Sequence, residues 1–288
     1  MSATPSSGPD ADADAEFQYV AGQARPAFTA LFAEFEARSA AAVQTEDCQL
    51  DLGYGPGPRQ AFDFFAAIGQ PRGTLVYFHA GYWQSRDKAP FRFIAPAFTR
   101  LGLNVALVNY PLCPSVSLGP LVEAASAAIG PVAAHARGSA PGPLPIILSG
   151  HSAGGHIAIE LALERAGRPQ EAAIAGVLAL SGVYDLAPLV GTSLNRNLML
   201  DGASASAHSP LHRLKPGCPP ALFAVGQDET PAFVEQSRRM YEGWRQAGNE
   251  AELEVTPGAD HFSLLQQLAA TDSALYRRAT GLFDTVLD

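Results

Sequence analysis

Ile146-Ile147-Leu148-Ser149-Gly150-His151-Ser152-Ala153-Gly154-Gly155-His156-Ile157 is an apolar run that passes within a few residues into a stretch of helical small/apolar spacing. A short apolar run ending in a glycine suits a buried parallel strand, and Ala153 to Arg165 suits the helix that follows it. The junction reads G-x-S-x-G, from Gly150 to Gly154. A serine in such a turn sits on a strained backbone that thrusts its hydroxyl into the open, and the flanking glycines keep side chains out of the crowded bend. The free N–H groups of the new helix then face the site and favour developing negative charge.

The same alternation continues outward. Strand candidates are Cys48–Leu52, Arg59–Ala66, Thr74–His79, Val105–Tyr110, Pro145–Ser149, Ile174–Ser181, Ala221–Val225 and Glu252–Thr256. Helical stretches fall at Phe17–Val43 (interrupted near Pro26), Phe91–Leu101, Leu121–Ala136, Ala153–Arg165, Pro231–Ala247 and Phe262–Leu287. Strands separated by helices imply right-handed crossovers and a mostly parallel sheet covered on both faces. Asp185 to Gly217 has no clear period and reads as a cap or lid insertion. Residues 1–15, rich in Ser, Pro, Asp and Ala, read as a disordered leader, and 16–288 as a single domain with 185–217 as its cap.

Of the 288 residues, 47% are hydrophobic and 16% charged, which fits a globular chain with a large core. The net charge of −9, without basic clusters, argues against nucleic acid or anionic membrane as a partner. No secretory signal pattern opens the chain, and no run of about 18 apolar residues could span a bilayer. The cysteines, Cys48, Cys113 and Cys218, are odd in number and widely spaced. They fit neither a disulfide framework nor a zinc site, so the expected location is the cytoplasm. His151 and His156, five apart, do not share a helix face, and no cofactor or metal is expected. The expected partner is a small-molecule substrate, and a homodimer is compatible with the composition.

A nucleophilic serine needs a base, an acid to orient it and donors for an oxyanion, and on such a sheet the chain order is serine, acid, histidine. His261 lies in Pro257-Gly258-Ala259-Asp260-His261-Phe262, after the last strand and on the same sheet edge as Ser152. The acid should follow Ala221–Val225, where Asp228 and Glu229 are adjacent; the residues alone leave both open, one as triad acid and one as helix cap. Oxyanion donors come from Ala153 and from the small-residue loop His79-Ala80-Gly81-Tyr82-Trp83.

These stretches resemble the kynurenine formamidase (arylformamidase) branch of the α/β-hydrolases, which is close to the hormone-sensitive-lipase-like esterases. The resemblance rests on His79 to Trp83 against H-G-G-x-W, extended by Gln84-Ser85. It is carried further by Tyr54-Gly55, Asn109 to Pro114, the Gly150–Gly154 turn, Ser181 to Leu186, Ser209-Pro210-Leu211 and Asp260-His261-Phe262, spanning about residues 50–270. It implies an α/β-hydrolase fold with a mostly parallel eight-stranded sheet, helices on both faces and a small cap insertion. It implies Ser152 as nucleophile, His261 as base, and N–H donors at Gly81, Tyr82 and Ala153. The family acid lies three residues past the strand-end glycine and before Ser/Thr-Pro-x-Phe, which favours Glu229 over Asp228. Tyr54, Tyr82, Trp83 and cap residues near Leu198 to Leu200 are the expected substrate walls. Ala80 departs from the family glycine, adding a methyl group to the loop.

The implied activity is cleavage of a small acyl group from an aryl formamide or ester through an acyl-enzyme, arylformamidase-like. Short-chain carboxylesterase is the alternative. A non-catalytic ligand-binding protein of the same fold is disfavoured by the intact serine, acid and histidine.

Overall fold

The computed structural model describes residues 9–138, 142–167 and 173–287. Eight strands form one sheet: β1 (Cys48–Gly53), β2 (Ala61–Phe65), β3 (Gly73–Phe78), β4 (Leu103–Val108), β5 (Ile146–His151), β6 (Ile174–Leu180), β7 (Ala221–Gly226) and β8 (Ala251–Thr256). Their order is β1-β2-β4-β3-β5-β6-β7-β8. β1 and β2 pair antiparallel, as do β2 and β4, and all the remaining pairs are parallel.

β3, β4, β5 and β7 are buried along their whole length, as unbroken apolar runs must be when helices cover both faces. Successive side chains enter opposite cores. Val76, Phe78, Ile146 and Leu148 face one side, and Leu75, Tyr77 and Ile147 the other. The first core contains helix Ala153–Arg165, buried from Ala153 through Leu163. The second holds Phe35, Phe98 and, from the last helix, Leu275, Ala279 and Phe283. Because β3, β5, β7 and β8 are parallel, the loops that leave their carboxyl ends share one edge of the sheet.

Several expected helices are divided, each at an identifiable residue. Leu121–Ala136 becomes Leu118–Ala127 and Ile129–Arg137, with Pro131, which cannot donate a backbone hydrogen bond, at the second start. Phe262–Leu287 becomes Ser263–Ala269 and Ala274–Leu287, where the Ser273 hydroxyl accepts the N–H of Tyr276 (2.9 Å) as a cap. Phe91–Leu101 is a 3-10 turn, Ala89–Ile94, running into Ala95–Thr99, with Pro90 and Pro96 near the two starts.

The reading of 1–15 as a disordered leader needs correction. Residues 1–8 lie outside the described residues, but Pro9–Tyr19 is a helix. It is held by tertiary contacts that the composition did not show: Tyr19 is buried, and Glu16 accepts both the N–H and the hydroxyl of Ser193 at 2.7 Å. The expected cap, 185–217, is a chain of short turns including Asn195–Leu198 and Gly202–Ala207. No helix among the described residues is long and apolar enough to cross a membrane.

Candidate active site

Ser152 ends β5 and starts helix Ala153–Arg165 with φ 56° and ψ −118°, a conformation that non-glycine residues rarely adopt. The turn is held by surrounding backbone. The Ser152 N–H donates to Leu180 O on β6 (2.8 Å), and its hydroxyl is not spent on capping the helix. The glycines on either side are obligatory for space. A Cβ on Gly150 would lie 2.2 Å from Gly154 O, and one on Gly154 would lie 1.9 Å from Phe78 O.

His261 and Glu229 are both buried, and Nδ1 of His261 lies 2.6 Å from Oε2 of Glu229. The other carboxylate oxygen, Oε1, accepts the Gly226 N–H (2.9 Å) and the Ser181 hydroxyl (2.5 Å). A carboxylate is a pure acceptor, so a Glu229 in that form takes its hydrogen bond from Nδ1–H of His261 and leaves Nε2 as the ring nitrogen available to act as a base. Asp228, one residue earlier, is exposed and meets the fold through its backbone, its N–H on Ala259 O and its carbonyl under Arg25 (2.9 Å each). The structure therefore brings Glu229, not Asp228, to the imidazole. His151 packs its ring 4.5 Å from that of His261. Complete burial, then the neighbouring His261, holds His151 well below the ordinary histidine range, so it stays neutral beside His261.

The loop after β3 is built around His79. Its ring stacks on Tyr110 (4.4 Å between centroids), Nδ1–H donates to Ala80 O (2.7 Å), and Nε2 accepts from Arg59 (3.3 Å). Burial pushes His79 down to about 4, which keeps it neutral as this pattern requires. Gly81 has φ 134°, and a Cβ there would meet Ser85 O at 2.2 Å. Tyr82 and Trp83 follow at φ 50° and 60°, whereas Ala80 is not among the positive-φ residues, so its methyl group is tolerated by the backbone. Among the described residues, the N–H groups of Gly81, Tyr82 and Ala153 donate to no protein acceptor.

A cavity of about 180 Å³ joins these parts. It is lined by Ser152, His261, Ala80, Gly81, Tyr82, Ser85, Arg86 and Phe262, and by Val20, Gln23, Ala24 and Phe28 from the N-terminal segment. Three expected walls are misplaced. Trp83 is fully buried, edge-on to His156 in the core (5.0 Å). Tyr54 is tied through its hydroxyl to Asn109 O (2.7 Å) and does not line the cavity. Leu198 and Leu200 are buried in the core, and Met199 between them is exposed. Tyr82 does line the cavity, with its hydroxyl donating to Tyr19 O.

The N-terminal segment thus takes the place expected of the cap. It is fastened by a chain of bonds: Gln23 Nε2 to the Thr230 hydroxyl (2.9 Å), that hydroxyl to Gln18 O (2.7 Å), and Gln236 Nε2 to the Tyr19 hydroxyl (2.9 Å). These contacts join residues more than 200 apart in the chain, so no local pattern announces them. Ser181, the second support of Glu229, and Arg86 were also missed as site residues. Ser181 opens one of the stretches that carry the family resemblance and Arg86 directly follows another, and that placement was the available signal.

Residues 75–265 match the family model described as alpha/beta hydrolase fold. The kynurenine formamidase of Danio rerio is 30% identical over 230 residues, covering 76% of each chain. That of Drosophila melanogaster is 27% identical over 242 residues, 78% of each. A crystal structure from Silicibacter sp., described provisionally as a thioesterase, superposes with a TM-score of 0.78 at 30% identity, covering 93% of this chain and 98% of that one.

Proposed function

The chain belongs to the α/β-hydrolase family, in its kynurenine-formamidase-like branch, and is a hydrolase; we propose that it cleaves a small acyl group from an aryl formamide by acyl transfer to Ser152. The observation that carries this reading is the Glu229–His261 hydrogen bond of 2.6 Å at a histidine that lines one cavity with Ser152. His261 Nε2 takes the serine proton as Oγ attacks the formyl carbon, and Glu229 stabilises the imidazolium across the Nδ1–H bond. The unspent N–H groups of Gly81, Tyr82 and Ala153 receive the oxyanion. His261 then returns its proton to the leaving nitrogen, which an amide requires and an activated ester does not. Water, deprotonated by the same histidine, releases formate.

Short-chain ester hydrolysis is the second reading, since the same groups perform it without the demand for leaving-group protonation. Rates on N-formylkynurenine and p-nitrophenyl acetate, each run beside the Ser152→Ala variant, separate them. Formamide turnover that disappears in Ser152→Ala supports the proposal; ester turnover alone moves the assignment to an esterase.

A further inference from the structure

Arg86 lies five residues past Gly81, at φ 71°, and lines the cavity with Ser152 and His261. Its guanidinium carbon is 3.7 Å from the ring centroid of Phe32 and 5.0 Å from that of Phe262. A cation–π contact of this kind holds the guanidinium without using any of its N–H groups as hydrogen-bond donors. Among the described residues none of those donors reaches a protein acceptor, and no carboxylate pairs with it.

The neighbouring arginines are different. Arg59 donates to Tyr110 O, to Arg86 O and to Asp87; Arg25 donates to the carbonyls of Gly22, Ala24 and Asp228. Arg59 also pins the Arg86 carbonyl at 2.8 Å, so the unpaired side chain projects from a fixed backbone. A non-glycine residue in the left-handed region costs about 1 kcal/mol, and here that strain presents a cation at the mouth of the cavity. More than a third of the residue remains open to solvent, so a ligand can reach it. Partial burial lowers its pKa somewhat from the ordinary arginine value, with no acidic group offsetting the effect; the group stays charged at neutral pH.

We propose that Arg86 is the anion-recognition residue of this site, and that preferred substrates carry a carboxylate on the acyl or the leaving-group side of the bond attacked by Ser152. The inference rests on Ser152 being the nucleophile. A planar carboxylate matches the unspent N–H fork, and the ring of Phe32, 3.7 Å from the guanidinium carbon, holds the group in place.

Two pairs of esters differing by one charge test it: mono-p-nitrophenyl succinate against its methyl ester (acyl side), and 4-acetoxybenzoate against its methyl ester (leaving-group side). The readout is the acid-to-methyl-ester ratio of kcat/KM in wild type, Arg86→Gln and Arg86→Lys. In at least one pair the ratio falls about 10- to 100-fold in Arg86→Gln, with Arg86→Lys between the two. Equal ratios in wild type and Arg86→Gln, including an equal loss on both partners, overturn the proposal in favour of simple packing on Phe32. A second arm needs no turnover. Calorimetric titration of benzoate and benzamide finds tighter benzoate binding in wild type that Arg86→Gln abolishes, and indifference to the charge overturns the inference. Wild type that binds benzoate in this way but hydrolyses none of the four esters contradicts the Ser152 reading while upholding Arg86.

Discussion

Ser181 donates its hydroxyl to Glu229 on the carboxylate oxygen that His261 leaves free. Ser181 sits at the end of β6 with φ 45°, its own N–H bonded to Ala224 O on β7 (2.7 Å). The acid is therefore held between two adjacent strands. Ser181→Ala leaves Oε1 with the Gly226 N–H alone. We expect kcat to fall about 3- to 30-fold and stability by about 1–2 kcal/mol, the cost of a buried carboxylate losing one donor. Steady-state kinetics and urea unfolding measure both. Unchanged kcat would remove Ser181 from the machinery.

Glu229→Gln keeps the shape but replaces a pure acceptor by an amide that can turn a donor toward His261. Loss of the correct tautomer lowers kcat by roughly 10³-fold or more. Asp228→Asn changes an exposed side chain and is expected to stay within about twofold of wild type. Similar losses in the two variants would mean that the acid has been misassigned.

Trp83 is a core residue and not a substrate wall. Trp83→Phe should destabilise the protein by about 1–3 kcal/mol while leaving KM for a small ester near its wild-type value. Gln23→Ala, by contrast, removes a cavity-lining side chain and the link to Thr230, and should raise KM. A KM shift in Trp83→Phe with none in Gln23→Ala reverses the placement of the cavity.

Stability should fall on acidification through His79. Its folded pKa of about 4 lies below the ordinary 6.5. Above pH 6.5 the imidazole is neutral in both states and contributes no difference. Between 6.5 and about 4 the unfolded chain binds a proton that the folded chain refuses, so stability declines by ~3 kcal/mol across that window. His151, also depressed by burial, acts in the same direction. Urea midpoints at pH 7.5 and 4.5 should differ less in His79→Gln than in wild type, and equal differences would remove His79 as a source of the acid sensitivity.

The inner strands β3, β4, β5 and β7 were legible in the sequence because long, mainly apolar runs have one stable place in a sheet covered on both faces. Ser152 and His261 were legible for a related reason: each sits at a strand's carboxyl end beside a recognisable turn. Choosing between Asp228 and Glu229 was a different matter. They are neighbours in the chain; the family spacing favoured Glu229, and the donors at Ser181 and Gly226 show it turned inward. The cavity wall was illegible for a further reason. Gln23 reaches it through a hydrogen bond to distant Thr230 and Phe28 through a ring contact with Phe262, and an Ala-rich helical pattern carries no sign of such docking. Trp83 misled because aromatic character suits a wall or a core equally, and its packing against His156 in the core decides which.

The most direct test of the account is peptide mapping after reaction with a fluorophosphonate, run beside a pre-steady-state assay with p-nitrophenyl acetate. One adduct per chain, on Ser152, is expected, with a burst of nitrophenol equal to the enzyme concentration that Ser152→Ala lacks. An adduct on another residue, or a burst that survives in Ser152→Ala, would contradict it.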